Sequence, residues 1–170
     1  VSNSLWTESD GGTNAAYLYF TSTGNLNAQA SFGGTGYVIT TNASFNNPSV
    51  WYHIVHVLDS TAAAPADRHI IYVNGIRQSL SAAAYVAQNT AMALTASGTP
   101  CEIGIYDDIS SYKLDGYLAE FYNIDGQALT PSSFGSTNSL TGVWQPARYT
   151  GTYGTNGFYL PFTDNSALTT

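Results

Sequence analysis

Residues 113–135 read Lys-Leu-Asp-Gly-Tyr-Leu-Ala-Glu-Phe-Tyr-Asn-Ile-Asp-Gly-Gln-Ala-Leu-Thr-Pro-Ser-Ser-Phe-Gly. In an extended segment Tyr117, Ala119 and Phe121 share one face, and Leu118, Tyr122 and Ile124 fall mostly on the other. The reading is therefore a strand over residues 116–124. Asp125-Gly126 then turns the chain, because glycine tolerates positive φ. Thr130-Pro131 follows as an N-cap residue before a proline suited to the first helical position. A single helical turn is expected at residues 132–134.

Working outward, the same alternation recurs. Tyr17–Phe20 is a short apolar run. Leu26, Ala28, Ala30 and Phe32 alternate with Asn27, Gln29 and Ser31, which gives one buried and one wet face. Residues 37–40 are short and β-branched. Residues 51–58 are apolar on both faces and read as a central strand, with Trp51 in the core. His69–Val73 precedes Asn74-Gly75, the strongest short hairpin signal, which favours a type I′ turn and an antiparallel return through residues 76–78. Residues 101–106 alternate again. Residues 158–162 are the last candidate, and Pro161, lacking an N–H, assigns them to an edge. The Ala-rich segment 79–93 reads as an irregular loop. Many short strands with Gly, Asn and Pro turns and almost no helix imply an antiparallel β-sandwich.

Composition narrows the function. The chain has 170 residues, 9% of them charged and 14% aromatic, with 13 tyrosines. It is polar through Ser, Thr, Asn and Gly, which suits neutral contact surfaces. The net charge is −7, and the four basic residues, Arg68, Arg77, Lys113 and Arg148, are scattered. No basic stripe exists to neutralise phosphates, so no nucleic acid partner is expected. No apolar run approaches the ~20 residues of a helical span, and no membrane insertion is expected. The single cysteine, Cys101, has no internal disulfide partner and reads as a buried small apolar residue.

Three blocks carry a family resemblance. They are Trp51-Tyr52-His53-Ile54-Val55 with Asp59; Arg68-His69-Ile70-Ile71-Tyr72-Val73-Asn74-Gly75-Ile76; and Ile103-Gly104 with Leu114-Asp115-Gly116-Tyr117-Leu118-Ala119-Glu120-Phe121 and Ala128-Leu129-Thr130. In order and spacing they resemble the concanavalin A-like lectin and laminin-G-like domains, in the wording found in tailed marine phage virion proteins. The resemblance spans roughly residues 5–135. It implies a concanavalin A-like antiparallel β-sandwich (jelly-roll), all-β with little helix. Residues 1–136 are expected to form the laminin-G-like sandwich. Residues 137–170 are expected to form a C-terminal extension carrying a closing or next-domain strand, within a fragment of a longer chain.

What the resemblance implies for function is contact. Glucanases share this fold, and their chemistry makes a definite demand on the residues. Retaining cleavage needs two carboxyl groups ~5–5.5 Å apart. Glu120 has no acid at positions 116, 118, 122 or 124, and Asp115 has the opposite strand parity. The domain is read as no enzyme. His53 and His56 also differ in parity, and structural hydrogen bonding is the expectation for both. The candidate ligand-binding residues are Tyr106, Asp107, Asp108 and Tyr112: tyrosine rings offer sugars an apolar face and a hydroxyl. Loops of such domains can hold calcium, but two adjacent carboxylates fall short of its six to eight oxygens. A solvated turn is the simpler reading, with calcium as the alternative and no other cofactor. Trp6 and Trp144 stay open as further glycan platforms. The expected partners are cell-surface glycans or other virion proteins, on a homo-oligomer at the virion surface, in a tail fibre or appendage. The alternative is a decoration or cement domain for a capsid or fibre.

Overall fold

The computed structural model describes residues 2–92, 94, 100–106 and 112–163. The described residues form thirteen strands. Six make one antiparallel sheet in the order β8-β4-β3-β2-β1-β9: β1 (Asn3–Ser9), β2 (Ala15–Phe20), β3 (Asn25–Phe32), β4 (Thr35–Ser44), β8 (Leu80–Ala83) and β9 (Cys101–Ile103). Three make a second sheet, β5 (Ile54–Leu58), β6 (His69–Val73) and β7 (Ile76–Arg77), with β6 in the middle. Two ribbons complete the chain: β10 (Phe121–Asn123) pairs with β13 (Phe158–Leu160), and β11 (Gly135–Thr137) pairs with β12 (Trp144–Pro146).

The two larger sheets pack as an all-β sandwich. Leu5, Leu18, Leu26, Ala28 and Ile39 come from the large sheet and meet Ile71 and Val73 of the small one. Register explains why. Leu18 pairs with Ala28, and Ala28 with Ile39, so period-2 alternation lines one face with apolar groups across three strands. A second cluster, Ala30, Phe32 and Val86, extends this layer. The Asn74-Gly75 turn has positive φ at both residues (49° and 79°), as a type I′ hairpin requires, and Ile76 returns opposite Val73.

Several expectations need correction. The strand expected over residues 51–58 begins at Ile54, and β5 is the outer strand of its sheet, not a central one. Trp51 is 67% exposed, outside the core. Its apolar run reflected the sandwich interior on one side and a cleft along the strand edge, described below. Residues 80–83, read as loop, form β8 on the edge of β4; alanine's weak strand preference hid it. The strand expected over 116–124 is only Phe121–Asn123. Glu120, at φ 55°, breaks the extended backbone just before it, and Tyr117 is 88% exposed. Cys101 is exposed, because β9 lies at the sheet edge; its sulfur accepts a hydrogen bond from the Trp6 indole at 3.2 Å. Pro131 does open a single 3₁₀ turn (Pro131–Ser133), but Thr130 makes no side-chain cap; its hydroxyl meets Ser132 instead.

Candidate ligand-binding surfaces

The outer face of the large sheet carries the first surface. Between the inward residues the alternation sets mostly polar and aromatic ones on this face. Tyr17 pairs with Gln29 and Gln29 with Val38; Tyr19 pairs with Asn27 and Asn27 with Thr40. The Asn27 amide donates to the Thr40 hydroxyl at 2.9 Å. The chain leaving β9 is tied over this face, since the Ile105 carbonyl accepts hydrogen bonds from the Ser4 and Thr7 hydroxyls at 3.0 and 3.3 Å. Tyr106 therefore lands on Tyr17, ring centroids 4.9 Å apart, and Tyr112 meets Tyr106 edge-on at 5.8 Å. Burial, then the nearby Tyr112 and Tyr106, push the Tyr19 phenol up. The two tyrosines expected from sequence thus come together and recruit Tyr17 and Tyr19. Asp107 and Asp108 lie outside the described residues. Among the described residues no group of three or more acids, histidines or cysteines gathers for a metal.

A cleft of about 930 Å³ is the second surface. One wall is every residue from Trp51 to Leu58; the other is residues 118–127, with Trp144, Arg148 and Tyr159 closing one end. Glu120 sits here with its carboxylate accepting hydrogen bonds from the Tyr122 and Tyr159 hydroxyls at 2.9 and 2.7 Å. Those rings stack at 4.6 Å, and the Arg148 guanidinium lies 5.4 Å above the Tyr159 ring. Burial and then the Glu120 hydrogen bond push the Tyr122 phenol up; for Tyr159 the Glu120 bond comes first. Glu120 is thus engaged by two phenols. Sequence reading missed this group because it depends on β10 pairing with β13, which sets Tyr122 opposite Tyr159.

Two of the three histidines, His53 and His56, line this cleft, and His69 does not. His56 and His69 face the large sheet, with their Nε2 atoms 2.9 Å apart, so the bond needs one ring as donor and one as acceptor. His69 is fully buried. Burial drives both imidazoles toward the neutral form, His56 to about 4 and His69 lower still. His53 packs against Trp144 at 5.0 Å, and burial lowers it as well. Trp144 is therefore a wedge in the arm–sheet contact: its ring would meet a Cβ placed on either Gly75 or Gly135.

No family model, curated protein or solved structure matches this chain.

Proposed function

We propose that this domain is a non-catalytic contact module of a virion surface, in a tail fibre or appendage, that binds neutral carbohydrate of a host cell. The tyrosine ledge carries the reading. Tyr17, Tyr19, Tyr106 and Tyr112 lie beside Gln29 and Thr40, with Glu102 at the end of the Thr7–Tyr17 row. Ring faces stack on the C–H face of a sugar, while amides and hydroxyls bond to its own hydroxyls. The overall charge of −7 disfavours polyanions. The virion setting rests on the resemblance of the three sequence blocks, and the jelly-roll class rests on it too.

The test is a glycan array, followed by calorimetry on the strongest neutral hit. Tyr112→Ala should weaken binding about tenfold, equivalent to about 1.4 kcal/mol for one lost ring face. An array without neutral glycans, or a Tyr112→Ala variant that binds unchanged, overturns the reading.

A second reading, decoration or cement between subunits, is favoured by exposed apolar groups away from the ledge: Trp51 at 67%, Tyr117 at 88% and Leu140 at 94%. Density in an assembled particle covering those residues over more than ~1,000 Å² would support it.

A further inference from the structure

The cleft has a wall made of backbone. In the β5–β6 ladder the Asn74 N–H donates to the His53 carbonyl, and the Asp59 N–H donates to the Arg68 carbonyl. Between these bonds the register runs unbroken from Ile54 opposite Val73 to Leu58 opposite His69. Antiparallel alternation then turns the backbone groups of residues 53, 55, 57 and 59 toward β6. Those of Ile54, His56 and Leu58 turn the other way. β5 is the outer strand of its sheet, every one of its residues lines the cleft, and no residue of β6 does. Three N–H and C=O pairs, repeating every two residues, therefore face the cavity. The segment across the gap does not pair with them: among the described residues β5 is bonded to β6 alone, and β10 to β13.

We propose that this edge accepts an extended segment of a partner polypeptide, apolar at alternate positions and carrying a lysine or arginine, added as a fourth strand to the small sheet. An open row of strand amides is a template for another strand, and strand addition draws affinity from main-chain bonds and selectivity from alternate side chains. The chemistry of the cleft narrows the occupant. Ile54 and Leu58 pack into the sandwich interior, so the added strand needs apolar side chains at alternate positions. Glu120 and Asp125 line the cleft beside Arg148, its one arginine or lysine, and beside His53 and His56, which burial holds toward the neutral form, so the occupant is neutral to basic. Glu120 is the recognition point for a lysine or arginine: two phenols hold its carboxylate, and the residue is exposed. The proposal does not depend on the glycan reading, which concerns the other sheet's outer face.

The probe is a seven-residue peptide of alternating valine and threonine with a lysine at each end. Its control is the same peptide with alternate amides N-methylated. Amide hydrogen exchange of the whole chain is followed by NMR. Expected is about tenfold slower exchange at Ile54, His56 and Leu58 with the peptide and no change with the methylated control. Glu120→Gln should weaken the lysine peptide while leaving a serine-ended version unchanged. Protection at those three amides before peptide is added means the chain covers its own edge, which overturns the proposal. So do equal binding by the methylated control and the same protection pattern from a neutral oligosaccharide such as maltohexaose.

Discussion

The large sheet and the arm that follows it are held together by different means. In the large sheet, β3 and β4 run for eight and ten residues, and the central strands are joined by long ladders, six residue pairs between β2 and β3 and seven, with one register shift, between β3 and β4. Backbone hydrogen bonds and alternating apolar groups specify the same arrangement, so no part depends on one side chain. Beyond residue 120 each strand is three residues long and each ribbon has two strands, too little to stand alone in water. Rings bind that arm instead. Tyr122 stacks on Tyr159, Phe134 touches both Tyr122 and Tyr149, and Trp144 lies against His53 over Gly75. Long ladders make a scaffold whose faces are predictable. Short ribbons pinned by aromatic contacts leave a cleft and, among the described residues, an unpaired strand edge.

The contrast is tested most severely in the sandwich interior. Ile71→Ala removes a side chain that is 1% exposed and meets the large sheet. It should cost about 2–5 kcal/mol in urea unfolding. Leu140→Ala in the arm, where the residue is 94% exposed, should change stability by less than about 0.5 kcal/mol. Comparable losses at the two positions would mean that the layers are not packed as described.

Next in size is the joint between the regions. Gly75 sits at φ 79°, and a Cβ there would lie 2.5 Å from the Trp144 ring. Gly75→Ala should cost about 1–3 kcal/mol from backbone strain alone. It should also free Trp144, seen as a red-shifted tryptophan emission before the main unfolding transition. A loss of stability with no early emission change would show that the wedge is not what joins arm to sheet.

How much of this was legible beforehand follows the same division. β2, β3, β6 and the Asn74-Gly75 turn were readable because period-2 patterning and turn chemistry are local and agree with the packing. Tyr17 and Tyr19 were visible as part of a short strand. Their meeting with Tyr106 was not, since it passes through β1 and β9, some ninety residues apart. Trp51 misled for a physical reason: an edge strand beside a cleft is as apolar as a central one. The shortening of 116–124 was hidden as well, because nothing in the local pattern announces positive φ at Glu120. The Glu120–Tyr122–Tyr159 group and the His56–His69 pair needed strand register across long connections, which alternation within one strand does not supply.

The histidine pair gives the gentlest way to separate the two regions, because its bond joins β5 to β6 within the small sheet and involves no ring of the arm. Both imidazoles are held neutral by burial, so their folded-state values lie below the ordinary value of about 6.5. Above that value neither the folded nor the unfolded chain binds the extra protons, and stability is flat. As pH falls below about 6.5 the unfolded chain takes up protons that the folded chain refuses, and stability drops toward the His56 value of about 4. The slope has a ceiling of about 1.4 kcal/mol per pH unit for each histidine. Urea titrations at pH 7.5, 6.0 and 5.0 should show this fall before most carboxylates protonate. In the double variant His56→Gln/His69→Leu the fall over that range should nearly vanish, leaving the smaller contribution of His53. If the double variant keeps the full slope, acid sensitivity resides elsewhere, and the imidazole pair does not report on the small sheet.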